Sequence, residues 1–172
     1  MIEIRRIGPE RELDLRLPNE PFAEWGRMIP SLHQGIWEYQ IIRFDREEEV
    51  CFPDVHYDAA EENTFFLGAY DNGTCVGLAV LRKELFKYLY LDDLKVNRAY
   101  RRQGIGAKLI EAGMEIAKGL ELVGVYTIGQ DTNLSACLFY LKNGFQIGGF
   151  NNRSYRGTAQ EHKADIYFYR DC

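Results

Sequence analysis

Leu91-Asp92-Asp93-Leu94-Lys95-Val96-Asn97-Arg98-Ala99-Tyr100-Arg101-Arg102-Gln103-Gly104-Ile105-Gly106 is the stretch on which the fold turns. Tyr88 to Val96, rich in aromatic and branched residues, predicts a strand. At Gly104 the hydrophobic period changes from two to about 3.6, and Ile105, Leu109, Ala112 and Ile116 then share one helical face. The loop between strand and helix is basic: Leu94 to Ile110 holds five cationic residues (Lys95, Arg98, Arg101, Arg102, Lys108) and no acid. Glycines allow backbone N–H groups to approach an anion, and a helix N-terminus adds unpaired donors and the positive end of its dipole. A diphosphate is the occupant this chemistry suits. The loop lacks G-x-x-x-x-G-K-[ST], so it is not a P-loop, and G-x-G without a third glycine is poor evidence for a dinucleotide fold. Were Gly104 and Gly106 only shaping a turn, the basic cluster would have no task.

Working outward, Thr64–Tyr70 and Thr74–Leu81 flank Asp71-Asn72-Gly73 and predict a β-hairpin. Ile2, Ile4 and Ile7 begin as an alternating strand. Pro18, Pro21 and Pro30 bracket Phe22, Trp25, Met28 and Ile29, whose spacing of three and four predicts a short helix. Gln40–Phe44 predicts a strand. Downstream, Val123–Ile128 predicts a strand, and Leu134, Cys137, Leu138 and Leu141 a helix closed by Asn143-Gly144. Gln146–Phe150 and Ala164–Tyr169 predict two closing strands. Hairpins alternate with β-α-β crossings, so the expectation is one α/β domain over residues 1–172 with a mixed sheet.

The 172 residues fit one domain. Hydrophobic residues make up 46% and charged residues 27%, which excludes a disordered chain or a disulfide-stapled miniprotein. Net charge −5 argues against nucleic-acid backbone as a partner. No apolar run is long enough to span a bilayer, and the N-terminal residues show no secretory pattern, so a cytoplasmic, membrane-free protein is expected. Cys51, Cys75, Cys137 and Cys172 are scattered without C-x-x-C, and His33, His56 and His162 lie far apart, so no metal site is expected. Asp45 to Glu62 carries eight acids against one Arg46. That run is either a solvated surface or a negative wall for a cationic substrate.

Arg101-x-x-Gly104-x-Gly106, preceded by Leu94-x-Val96, resembles the acetyl-CoA motif of the GNAT N-acetyltransferase superfamily. A second motif stands downstream: Asn133-x-x-Ala136-x-x-Phe139-Tyr140, then Asn143-Gly144-Phe145. Within the superfamily the chain most resembles the streptothricin acetyltransferases. The shared residues include Pro18-Asn19-Glu20-Pro21-Phe22, Gly26-Arg27-Met28-Ile29-Pro30, Cys75-Val76-Gly77, Leu81-Arg82-Lys83, Gln130 with Asn133, Ala136-Cys137, Gly148-Gly149 and Tyr167-Phe168-Tyr169. One departure bears on the substrate but not on acetyl transfer. Where those enzymes carry Glu-Thr before the Gln, this chain has Ile128-Gly129.

The resemblance implies a GNAT-like fold, with a mixed central sheet of about seven strands, flanking helices and a central strand pair splayed beside Leu94–Val96. It implies acetyl-CoA as co-substrate, with pantetheine along Leu94 and Val96, the Val96 N–H as oxyanion donor, the pyrophosphate on Arg101, Arg102, Gln103, Gly104, Ile105 and Gly106, and Asn133 on pantetheine. Tyr140 is the implied general acid, and Asp92 the base or ammonium anchor. A regular strand would turn Asp93 to the opposite face, whereas a bulge would change that. Asp92, Asp93 and Trp37 are the substrate-side candidates. The implied activity is N-acetylation of a small polycationic amine, an antibiotic of the streptothricin type. The alternatives are a peptide or polyamine acetylase and a non-catalytic CoA-binding module. The oligomeric state stays open, and edge-strand homodimers occur among the proteins resembled.

Overall fold

The computed structural model describes residues 1–172. In chain order the elements are β1 (Ile2–Arg6), β2 (Phe22–His33), β3 (Ile36–Val50), β4 (Thr64–Asp71), β5 (Thr74–Lys83), β6 (Tyr88–Val96), α1 (Ile105–Gly119), β7 (Gly124–Gln130), α2 (Leu134–Lys142), β8 (Gln146–Asn151) and β9 (Asp165–Asp171), with short 3-10 segments at Pro9–Arg16 and Arg98–Tyr100. Seven strands belong to a mixed sheet, and β2 and β3 form a separate two-stranded ribbon. The chain divides into two compact units. One comprises residues 1–20, 51–125 and 171–172, and the other residues 21–50 and 126–170.

In the first unit the strands run in the order β1-β4-β5-β6, each pair antiparallel. The β4–β5 hairpin turns at Asn72 and Gly73, both at positive φ (48° and 81°), as the Asn-Gly pair predicts. β5 is buried almost end to end and has a layer on each face. Leu78 and Val80 join Ile7, Leu15, Phe66 and Tyr70 in one cluster. Gly77 lies under α1, where an added Cβ would sit 3.3 Å from both Ile105 and Leu109. The buried stripe of α1 is Ile105, Leu109, Ile110, Gly113, Met114 and Ala117. It is rotated from the expected Ala112 and Ile116 because Gly113, which carries no apolar side chain to read, is the closest approach: a Cβ there would lie 2.8 Å from Leu81 Cδ2. Full burial of one such leucine is worth roughly 2–3 kcal/mol.

The second unit corrects the N-terminal expectation. Phe22–Ile29 is not a helix but the first two thirds of the twelve-residue strand β2, paired antiparallel with β3. The spacing of Phe22, Trp25, Met28 and Ile29 fits a helix, yet burial alternates instead, with Gly26, Met28 and Pro30 inward. Pro30 lacks an amide donor, and an edge strand accommodates that where a helix interior does not. Gln34 (φ 51°) and Gly35 (φ 79°) close the ribbon. Asp45 to Val50 belongs to β3, so the acidic run is split between an extended strand and the coil that follows it.

In the same unit α2 is closed by Gly144 as its sequence predicts, and the structure adds a cap at its start. The Asn133 side chain accepts from Ala136 N at 3.3 Å, and Gly144 takes φ 86° after the last turn. Asp131 ties the unit together: its N–H donates to Ala164 O, its Oδ1 accepts from Ala164 N, its Oδ2 lies 3.1 Å from Arg27 Nε, and its carbonyl accepts from Met28 N. Burial raises the Asp131 pKa, against the opposing effects of the Ala164 amide and Arg27. No helix is long and apolar enough to cross a membrane, and no group of three or more His, Cys, Asp or Glu is placed to hold a metal ion.

Candidate active site

β6 carries its chemistry on two different edges. Asn97 N donates to Val76 O at 2.8 Å, so the residues paired next to them, Val96 and Gly77, form a non-hydrogen-bonded pair. The alternation continues to Leu94 opposite Ala79. The N–H and C=O groups of Leu94 and Val96 therefore turn away from β5, toward the other edge of β6. Arg101 Nε already reaches the Val96 carbonyl at 3.1 Å.

Beyond Val96 the loop bends sharply at Arg102 and Gly104, both left-handed (φ 62° and 76°). Gly104 is the N-cap of α1 and offers no side-chain cap, and the first turn holds no acid. The first intrahelical bond runs from Lys108 N to Gly104 O, so the amides of Ile105, Gly106 and Ala107 have no acceptor within the helix. Arg98, Arg101, Arg102, Gln103 and Lys108 are exposed around them. A Cβ added to Gly104 would meet no protein atom within 4 Å. The space above the helix end is open, and its donors and charges fit a diphosphate.

The acids of β6 depart from a regular strand. Val80 opposes Asp93 while Leu81 opposes Leu91, which leaves Asp92 as the extra residue of a bulge. Asp93 is not sent to the opposite face. Its Oδ2 accepts from Tyr57 Oη at 2.8 Å and lies 3.5 Å from Lys95 Nζ. Asp92 Oδ2 accepts from Arg82 Nε at 2.7 Å, and Arg82 reaches Glu61 at 2.6 Å. The Arg82 guanidinium in turn lies 6.0 Å from the Tyr57 ring centre. Both carboxylates thus belong to one cluster with Tyr57, Arg82 and Glu61. Burial opposes the Arg82 charge, but the bonds from Asp92 and Glu61 outweigh it and raise the Arg82 pKa. The hydrogen bond from Arg82 lowers that of Glu61, and burial, then Asp93, raise that of Tyr57. Sequence reasoning missed Tyr57 and Arg82. Tyr57 is hidden in the acidic run, and Arg82 is visible only as part of the Leu81-Arg82-Lys83 resemblance.

In the other unit Tyr140 lies on α2 beside the buried Leu134 and Cys137. Its ring is held by Phe139, Phe145 and Phe168, with centroids 5.6, 5.6 and 5.5 Å away. Gly129 faces the same group: a Cβ there would lie 3.2 Å from Phe168, 3.4 Å from Cys137 Sγ and 3.8 Å from Tyr140. A threonine at this position would crowd Phe168, so the Ile128-Gly129 departure is built into the packing. Asn133 is committed to capping α2 through its side-chain oxygen. Trp37 sits half-buried on β3 opposite Leu32.

A mixed sheet whose fourth strand ends in a glycine-opened, basic helix N-terminus defines an acetyltransferase fold, and residues 29–145 match the acetyltransferase (GNAT) family. The chain belongs to that family. It is 34% identical over 160 residues to streptothricin acetyltransferase A of Bacillus subtilis (strain 168), covering 91% of this chain and 92% of that one. It is also 31% identical over 117 residues to the N-alpha-acetyltransferase RimI of Mycobacterium tuberculosis, covering 66% and 69%. A crystal structure from Bacillus anthracis str. Ames, in complex with acetyl coenzyme A, superposes over all of both chains with TM-score 0.92 and 26% identity.

Proposed function

We propose that this acetyltransferase moves the acetyl group of acetyl-CoA to an amine of a small molecule carrying several positive charges, of the streptothricin class. The observation that carries the reading is the pair of carboxylates, Asp92 and Asp93, gathered on the strand that ends in the diphosphate-binding loop. The likeness to the Bacillus subtilis enzyme along 91% of the chain supports it.

Acetyl-CoA supplies an activated thioester, and the chain's groups do the rest. An alkyl amine has a pKa around 10, so about a thousandth of it is unprotonated near neutrality. The Val96 N–H, turned away from β5, donates to the oxygen on which negative charge develops. The amides at the start of α1, with Arg101 and Arg102, bind the diphosphate, and Gln103 lines that loop. Tyr140 Oη protonates the departing thiolate. β6 rises about 3.3 Å per residue, so Asp92 lies roughly 13 Å and Asp93 roughly 10 Å along the strand from Val96. At that reach a carboxylate anchors a second ammonium and removes a proton from the reacting one only through water. A substrate with several amines satisfies this geometry, and one with a single amine does not. Trp37 is assigned to the substrate side with the two acids.

The test is thiol release from acetyl-CoA with streptothricin, a linear polyamine and a peptide N-terminus as acceptors. Higher kcat/KM for the compact multivalent cation is expected, and turnover of the peptide alone would overturn the reading. If charge guides the substrate, kcat/KM falls as salt rises, because exposed charges are screened over about 8–10 Å at physiological ionic strength. Asp54→Asn, Asp58→Asn and Glu62→Gln together should flatten that slope without changing acetyl-CoA affinity. Glu61 is left in place because it holds Arg82, which also bonds Asp92. The amides keep the acceptors that Asp54 and Asp58 present to Asn19 N and Ala60 N. An unchanged slope would assign the coil acids to solvent.

A further inference from the structure

Lys95 is the one cation of the basic stretch that does not stand exposed around the start of α1. Its side chain is 9% exposed, and its Nζ makes no hydrogen bond. The register sets Lys95 opposite Leu78 and Asp93 opposite Val80, and cross-strand partners share a face. Leu78 and Val80 belong to the core cluster on which Tyr57 packs, whereas α1 covers Gly77 and Leu81 on the other face. Lys95, Asp93 and Tyr57 therefore lie together, away from α1. Asp93 Oδ2 is 3.5 Å from Lys95 Nζ and accepts from Tyr57 Oη at 2.8 Å instead. A lysine recruited only as a counter-ion closes to about 2.7–2.9 Å and donates. Lys95, on a flexible stem, does not. An ammonium buried with its donors unused is costly until an acceptor reaches it.

The surroundings select that acceptor. Asp92, Asp93 and Glu61 outnumber Arg82 and Lys95, so an anion is repelled from the cluster, and an ammonium goes to the carboxylates. A neutral oxygen is what remains for the lysine. We propose that Lys95 is a specificity residue of the acceptor site, donating to an ether, hydroxyl or amide-carbonyl oxygen of the substrate. Along β6 the groups follow one another as the carboxylates of Asp92 and Asp93, the Lys95 ammonium and the Val96 N–H. A substrate laid along the strand meets them with an anchoring ammonium, an oxygen and the reacting amine, in that order. Resting on the multivalent-amine reading above, this narrows the substrate: cations with oxygen between their charges are taken in preference to plain polyamines.

Thiol release tests this with two acceptors of equal length: diaminooctane with terminal amines, and its analogue carrying ether oxygens in place of two methylenes. After correction for their different amine pKa values, the wild type is expected to favour the ether by about tenfold or more in kcat/KM, mainly through KM. Lys95→Met, or Lys95→Ala should the first fail to fold, should bring that ratio to within about twofold of unity. A lysine that only compensates Asp93 acts equally on both diamines, since each carries two ammonium groups, and its loss leaves the ratio unchanged. Each ratio is taken within one preparation, so any loss of folded enzyme cancels. A wild type without preference overturns the proposal and leaves Lys95 to water. So does a preference that survives removal of the lysine. If neither diamine is acetylated the proposal also falls, and streptothricin as a parallel acceptor shows whether the multivalent-amine reading falls with it.

Discussion

Tyr140→Phe is expected to lower kcat by about a hundredfold or more, equivalent to about 2.7 kcal/mol of transition-state stabilisation, while changing the acetyl-CoA Kd by less than about twofold. The structure makes this substitution a clean one. Phe139, Phe145 and Phe168 hold the ring by its faces and edges, with centroids 5.5–5.6 Å away, and a phenylalanine keeps each of those contacts. Only the hydroxyl is lost. The task proposed for it, protonating a thiolate, arises as the C–S bond breaks, so the loss falls on kcat and not on binding of either substrate. Single-turnover rates read the chemical step even where product release limits the steady state. A variant whose single-turnover rate matches the wild type would make Tyr140 a packing residue only.

Replacing Gly104 is expected to have the second large effect, weakening acetyl-CoA affinity more than tenfold by calorimetry while the chain still folds. Two variants separate backbone strain from obstruction. Gly104 sits at φ 76°, a region that valine enters at a cost and asparagine tolerates. No protein atom lies within 4 Å of an added Cβ, so neither side chain clashes with the fold. Both would occupy the space through which the proposed diphosphate approaches the amides of Ile105 and Gly106. If Gly104→Val loses affinity and Gly104→Asn does not, the loss is strain in the loop. If both lose it, the open space is the binding site. Full affinity in both would remove the diphosphate from this loop.

The parts of the molecule legible in the sequence are those whose signals are local. Asn72-Gly73 closes its hairpin because two residues that tolerate positive φ stand between two alternating runs. The change of period at Gly104, the Leu134-Cys137-Leu138-Leu141 stripe and the Gly144 cap mark the helices within a residue or two. The loop's basic residues and glycines point to a diphosphate on local chemistry alone, which is the reading proposed above. The ribbon was not legible, because Phe22, Trp25, Met28 and Ile29 satisfy a helical spacing. What makes them a strand is β3, pairing from as far away as Val50.

By itself the sequence determined the class of chemistry: a strand, a basic glycine loop and a helix in series, two motifs that resemble those of an acetyltransferase, and an excess of acid. Only the tertiary structure decided which groups act together. A one-residue bulge at Asp92, which no propensity marks, turns both carboxylates toward Arg82 and Tyr57. The alternation of hydrogen bonds set by Asn97 N to Val76 O turns the Val96 amide away from β5. Both depend on register between strands. Register is fixed by packing across the sheet, and a linear pattern of residue types carries no record of it.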